Sequence, residues 1–352
     1  MKRKIIFDCE RMKHPHTGLY HFCLQLGTNL LKQNKGDNEI CFYTPQSAGK
    51  VFGDNECYIL QKSIHKLFVP NISDANIWHC TNQGTSYFPW NKKLKIVLTI
   101  HDLNFMYDES KNGDKRSKYL KALDKKIQRA DAIVAISHHT SNDIKKHIDV
   151  GNKTVNVIYN GCNVNDPELS KPALLPGKDF LFTIGTITNK KNFHVLPCLL
   201  YENNMNLVIA GITQSEEYKQ LIIEEANKWG VADKLLFAGA VSENDKQWYF
   251  KNCTAFVFPS LAEGFGLPVV EAMHFGKPII LSKHTSLPEI GGDVCYYFNN
   301  FEPANMQKTL VDSLNDFHLT HPSAKIIERS QLFSWEKAAK DYLDIYDELL
   351  KY

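Results

Sequence analysis

The sequence predicts an α/β protein made of two doubly wound, Rossmann-like domains. Apolar runs of strand length alternate with helix-period segments along the whole chain. Several runs are apolar on both faces, as strands of a parallel sheet covered by helices on each side must be. The alternation occurs twice. The break between the rounds is "CNVNDPELSKPALLPGKD", residues 162–179, whose Pro, Asn and Asp punctuation without periodicity marks a linker. Such alternation folds as a parallel sheet between helix layers.

In the first half the strand candidates are "KIIFDCE", "EICFYT", "ANIWHC", "LKIVLTI", "AIVAIS" and "VNVIYN", with helices over about 19–33, 114–129 and 139–148. The second half offers "FLFTIG", "NLVIAG", "LLFAGA", "AFVFPS", "PIILS" and "CYYF", with helices over about 192–202, 215–229, 243–252 and 268–276. In the last segment, "FSWEKAAKDYLDIYDELLKY", Ser334 is the N-cap, and Trp335, Ala338, Ala339, Tyr342, Ile345, Tyr346 and Leu349 follow at helical spacing. This amphipathic helix must dock on its own domain or the other. The domain assignment is 1–168 and 169–334, with helix 335–352 joined to the first.

The 352 residues suffice for two domains, and 43% hydrophobic with 23% charged content excludes a disordered chain. No apolar run reaches the roughly eighteen residues that span a bilayer. The apolar stretch within "MKRKIIFDCERMKH" is too short for a signal peptide. Nine cysteines are scattered singly with no Cys-x-x-Cys, which predicts buried or idle thiols in a reducing cytoplasm, with neither a disulfide frame nor a zinc site. The net charge of +2 conceals an asymmetry: residues 1–160 carry 24 Lys+Arg against 15 Asp+Glu, a net of +9, and residues 161–352 carry 17 against 24, a net of −7. The halves therefore have different partners. The near-neutral total and the lack of a reader motif exclude nucleic acid.

The most informative stretch is "SLAEGFGLPVVEAMHFGKP", residues 260–278. A buried-type strand, "TAFVFPS", precedes it, and "LPVVEAMHFG" reads as a helix with Pro268 in its first turn. The loop Gly264-Phe265-Gly266-Leu267 thus leaves the C-terminal end of a strand, where open parallel sheets bind ligands. Unpaired N–H groups and the positive dipole end of the helix suit phosphate. Gly264 and Gly266 let backbone approach a ligand closely. Val269, Val270 and Met273 mark the sheet-facing side, which turns Glu271 away toward the crevice, where its carboxylate can accept from a ribose diol. Glu263 then reaches the other end of the same ligand, with phosphates between.

These residues resemble the Glu-x7-Glu signature of retaining glycosyltransferases of family 4, which have the GT-B fold. The resemblance continues through "LTIHDLNF", "ADAIVAISHHTSNDI", "VIYNGCN", "FLFTIGTITNKKNF", "LVIAG", "LLFAGAVSENDKQWYFKNCTAFVFPS", "TSLPEIGGD" and "FSWEKAAKDYLDIY", in the family's order. It implies an N-terminal acceptor domain and a C-terminal nucleotide-sugar domain facing a central cleft, with the C-terminal helix crossing back to the first. It makes Glu263 the catalytic acid that holds the sugar, with Glu271 on the ribose. Lys191, after the Gly185 turn, takes the diphosphate. Many members have arginine just after that glycine or just before that lysine. Here Thr186 and Lys190 stand there, so Lys190 is either a second phosphate ligand or a solvated neighbour. Backbone at Ala240 and Val241 is implied to meet the base. The block "EGFGLPVVEAM" with "SLPEIGG" is most similar to members that use GDP-mannose, implying mannosyl transfer to a surface polysaccharide or lipid-linked glycan. No metal or other cofactor is required, and no Asp-x-Asp occurs.

In the first half, Gly18 opens a helical stripe of Phe22, Leu26 and Leu30, either as an approach for donor or acceptor or as a plain turn. His14, His16 and Tyr20 are unranked acceptor contacts. His101 ends a strand and is similar to the family's catalytic histidine. Asp102 orients it or caps the next turn. Ser137 is a helix cap. Lys111, Lys115, Lys118, Lys121, Lys125 and Arg129 share one helix face, which reads as solvated surface or as a peripheral contact with anionic membrane. A UDP-sugar donor, a nucleotide-sugar epimerase and a non-catalytic nucleotide-binding partner remain open alternatives.

Overall fold

Every strand pairing among the described residues is parallel. The computed structural model describes residues 3–15, 17–36, 38–70, 72, 74–107, 113–162, 164, 169–177 and 179–351, so His16, Lys111 and part of the linker lie outside it. The chain divides into two units, Met1–Gly161 with Ser334–Tyr352, and Cys162–Phe333. The division thus falls at 161/162, ahead of the 168/169 boundary placed from composition.

The first unit holds β1 (Arg3–Asp8), β2 (Asn38–Thr44), β3 (Cys57–Leu60), β4 (Ala75–Cys80), β5 (Lys95–Ile100), β6 (Ala132–Ala135) and β7 (Val155–Val157), in the order β3-β2-β1-β4-β5-β6-β7. Its helices are α1 (Gly18–Gln33), α2 (Gly113–Arg129), α3 (His138–His147) and the C-terminal helix, Trp335–Leu349. The two-residue period explains why Ile5, Ile6 and Phe7 of β1 are apolar in succession. Ile5 and Phe7 enter a core with Phe22, Leu26, Trp335 and Tyr346, while Ile6 enters the opposite one with Trp78, Leu123 and Ile144. The expected caps form: the hydroxyls of Ser137 and Ser334 accept from Thr140 N and Lys337 N.

The C-terminal helix returns to the first unit and packs on α1. A buried polar chain fixes it there. His79 Nδ1 lies 2.6 Å from Tyr346 Oη, His79 Nε2 lies 2.8 Å from Thr99 Oγ1, and that hydroxyl lies 2.8 Å from Tyr342 Oη. Burial lowers the His79 pKa to about 3, so the ring is neutral.

The cysteine expectation is corrected here. Parallel register sets Cys41 of β2 opposite Cys57 of β3, and the two form a disulfide. The other seven are free thiols, six of them buried. No described helix is long and apolar enough to cross a membrane.

The second unit holds β8 (Phe180–Ile184), β9 (Asn206–Ala210), β10 (Leu235–Gly239), β11 (Ala255–Phe258), β12 (Ile279–Leu281) and β13 (Tyr296–Tyr297), in the order β10-β9-β8-β11-β12-β13. Its helices are α4 (Glu216–Lys228), α5 (Glu243–Asn252), α6 (Leu267–His274), α7 (Leu287–Gly291), α8 (Pro303–Thr320) and α9 (Ser323–Ser330). The helix expected over 192–202 is instead two short 3-10 turns, Phe193–Val195 and Pro197–Leu200, preceded by a third at Asn189–Lys191. Asn192 is left-handed at φ 57, and Pro197 has no N–H to donate, so an α-helix cannot run through.

Candidate active site

In the second unit the strand order reverses between β8 and β11, which makes the loops after them the flanks of a switch-point crevice. These loops carry Lys191 and Glu263. Lys191 Nζ lies 2.5 Å from Glu263 Oε1, and Ser260 Oγ donates to the same oxygen at 2.6 Å. The ammonium also sits 4.9 Å from the centre of the Phe258 ring. Both side chains are largely shielded, 10% and 13% exposed, so solvent and salt screen the pair less than a surface ion pair.

The Gly185 turn is what admits Lys191. A Cβ at Gly185 would stand 2.9 Å from Lys191 Cε, and one at Gly211 would stand 2.0 Å from Gly185 O. The Glu263 loop is braced from both sides. Lys190 O accepts from Leu261 N at 2.8 Å, and Glu263 N donates to Thr285 Oγ1 at 2.9 Å. Ser286 Oγ lies 3.1 Å from Glu263 O and 2.9 Å from Phe265 O. Thr285 holds φ 53, a left-handed conformation that costs a β-branched residue energy and occurs where surroundings enforce it. Ser260, Thr285 and Ser286 thus belong to the site. Only the quoted "TSLPEIGG" block hints at the latter two.

Gly266 is left-handed at φ 100 and opens α6, and a Cβ there would stand 2.9 Å from Leu287 Cδ2. Phe265 buries its ring against Phe333. Its side chain is therefore core. Pro268 stands in the first turn of α6 as expected. Thr186 and the Lys190 side chain are exposed beside the crevice. Ala240 and Val241 follow the end of β10, ahead of Ser242, whose hydroxyl caps α5 by accepting from Asp245 N at 3.1 Å.

Glu271 departs from its helical-wheel position. Val269, Val270 and Met273 do face the core, yet Glu271 is buried too, because α5 packs on α6 from the other side. Lys246 of α5 puts Nζ 2.7 Å from Glu271 Oε1 and 2.9 Å from Glu243 Oε2. Burial raises the Glu271 pKa against the pull of Lys246. Burial opposes the charge on Lys246, but Glu271 and Glu243 outweigh it and raise its pKa. Lys246 thus works against the burial that disfavours the charged form of Glu271. The i, i+3 pair Glu243–Lys246 is the one sequence signal for this lysine.

The remaining candidates lie in the first unit. His101 is buried at the end of β5, with Nε2 donating to Thr81 O at 2.8 Å and its ring edge-on to Phe22 at 4.6 Å. Burial lowers its pKa to about 4, so it is a neutral imidazole with the proton on Nε2. Of the two roles considered for Asp102, the cap is seen: Oδ1 accepts from Asn104 N at 2.9 Å. Gly18 starts α1 behind the Thr17 cap, and a Cβ there would meet nothing within 4 Å. A buried carboxyl not singled out in the sequence, Asp8, ends β1. It accepts from Thr85 Oγ1 at 2.7 Å and Glu10 N at 2.9 Å, and burial raises its pKa to about 7. On α2, Lys115, Lys118, Lys121 and Lys125 are exposed. Arg129 is not part of that open face: it bonds Asp131 at 3.0 Å and Leu94 O at 2.6 Å.

Known proteins match this arrangement. The family described as "Glycosyltransferase Family 4" matches residues 60–166, and "Glycosyl transferases group 1" matches residues 165–321. The chain belongs to these glycosyltransferases. The serotype-specific mannosyltransferase WbdA of Escherichia coli is 28% identical over 284 residues, 75% of this chain and 34% of that protein. The chain thus spans about a third of the length of the first curated relatives it matches. The O-antigen chain mannosyltransferase B of Escherichia coli is 23% identical, covering 97% of this chain and 99% of its own. The sucrose-phosphate synthase of Thermosynechococcus elongatus superposes with a TM-score of 0.74 at 17% identity, covering 99% of each chain. At that identity the likeness speaks for the fold alone, which is GT-B.

Proposed function

We propose that the chain is a retaining glycosyltransferase that moves a hexose, mannose from GDP-mannose, to a saccharide or lipid-linked glycan in surface polysaccharide synthesis. The Lys191–Glu263 pair at the β8/β11 switch point carries this reading. With the two groups 2.5 Å apart, a diphosphate on Lys191 brings its sugar end beside Glu263. As the bond from C1 to the diphosphate breaks, the leaving oxygen keeps the electron pair, and Lys191 with the Gly264–Leu267 amides stabilises that charge. The acceptor oxygen bonds C1 from the same face, and its proton passes to the departing phosphate. Glu263 holds sugar hydroxyls and supports the cationic centre. Glu271, paired with Lys246, takes the ribose. His101, Asp102 and Gly18 are assigned to the acceptor. The reading calls on no metal, since fixed cations and amides carry the charge. The sugar is supported by the names of the mannosyltransferase relatives, and the base by the resemblance carried by "EGFGLPVVEAM" and "SLPEIGG".

The reaction is proposed to run on the cytoplasmic side, with the exposed α2 lysines resting on anionic lipid. A donor panel tests the enzymatic reading. Transfer or slow hydrolysis of GDP-mannose with retained anomeric configuration is expected, lost in Glu263→Ala and weakened with nucleotide binding in Lys191→Ala. Turnover of a UDP-sugar instead reassigns the donor. Exchange into the epimeric nucleotide-sugar, binding without turnover, or parental activity in both variants overturns the proposal.

A further inference from the structure

We propose that residues 60–68 form an apolar wedge that enters the interface of an anionic bilayer. The inference extends the membrane reading of α2 and is independent of the donor. Within nine residues, Leu60, Ile64, Leu67 and Phe68 are 52%, 54%, 79% and 70% exposed. Single exposed apolar side chains are ordinary, but a cluster marks an interaction surface. Its exposure does not come from a loose fold. The 3-10 turn Ser63–Lys66 is pinned from behind by His65, whose Nδ1 accepts from Tyr43 Oη at 2.9 Å. Val69 and Ile72 then pack into the core layer that also holds Leu120 and Leu123 of α2. In a three-residue turn, Ile64 and Leu67 lie on one side.

Charge selects the occupant. Residues 57–73 contain no acid, and the exposed Lys62 and Lys66 flank the apolar residues. The α2 face on the same core layer adds Lys115, Lys118, Lys121 and Lys125, with Tyr119 half exposed among them. A shallow apolar insert bordered by lysines fits the headgroup boundary of an anionic leaflet. A stable protein interface needs about 800 Å² per partner, more than a wedge of four side chains supplies.

The test is co-sedimentation with phosphatidylcholine vesicles, with and without phosphatidylglycerol. The parent is expected on the anionic vesicles only, and Leu67→Ser/Phe68→Ser is expected to bind at least about tenfold more weakly with an unchanged thermal melt. Tryptophan emission gained by Phe68→Trp should shift to the blue on the anionic vesicles. If the Ser/Ser variant binds like the parent while Lys118→Glu/Lys121→Glu does not, the wedge is overturned and the α2 reading stands. If the parent binds neither vesicle, both fall. If light scattering shows a dimer that the Ser/Ser variant abolishes, the surface is a protein interface and the wedge is overturned.

Discussion

Replacing Lys246 by Met should destabilise the second unit by an amount that depends on pH. The side chain is 15% exposed and neutralises Glu271, itself 11% exposed, at 2.7 Å. Removing one partner of a buried pair typically costs about 3–5 kcal/mol, because a bare charge stays behind. Glu271 has a cheaper escape, which is to take up a proton. From the ordinary 4.5, protonation at pH 7 costs about 3 kcal/mol, and burial, which already raises its pKa, brings that down. The expected loss at pH 7 is therefore about 2–3 kcal/mol. At pH 5 the same proton costs about 2.7 kcal/mol less, so the loss should nearly vanish. Urea unfolding of the parent, Lys246→Met, Glu271→Gln and the double variant at both pH values measures this. The double variant should recover most of the loss. A pH-independent loss, or additive single effects, would refute the pairing. Nucleotide binding gives a second readout. If Glu271 holds the ribose, the parent's preference for a ribonucleotide over its deoxy analogue should shrink in Lys246→Met.

Two further predictions concern other positions. Asp8, raised from 3.8 to about 7, adds stability that is complete below pH 4 and is lost as pH rises through 7; His79, lowered from 6.5 to about 3, adds stability that is complete above pH 6.5 and is lost as pH falls. The slopes oppose each other between about pH 4 and 6.5, so Asp8→Asn should steepen the first unit's loss of stability toward acid by about 1.4 kcal/mol per pH unit. An unchanged slope in denaturation at stepped pH would show that Asp8 is ionised throughout. Gly185→Ala should push Lys191 off Glu263, because its Cβ falls 2.9 Å from Lys191 Cε. Titration calorimetry is expected to show nucleotide binding at least about tenfold weaker with the fold kept, and parental affinity would place Lys191 outside the diphosphate site.

What the sequence discloses of the fold and the site depends on how far apart the cooperating residues lie. The Gly185 turn, the Gly266 cap and Pro268 are local devices, and a backbone that must turn or start a helix writes them into neighbouring residues. The strands are legible for the same reason, since apolar runs must bury both faces. Partners brought together by register or packing leave no such mark. Cys41 meets Cys57 only because β2 and β3 pair in one register, and 16 residues of separation say nothing of it. His79 meets Tyr346 across 267 residues. The case of Glu271 is sharper. A helical wheel has one reference, the sheet, and a residue opposite it reads as open. Here α6 has a second neighbour in α5, and that side is closed by Lys246. The consequence is chemical: a carboxylate facing water would be ionised by default, whereas burial works against the charge on Glu271 and one lysine 25 residues away works for it. Its fitness to hold a ribose diol therefore rests on a residue outside the Glu-x7-Glu motif, and a chain with that motif but no cation at position 246 should hold its second glutamate at a higher pKa than this one does.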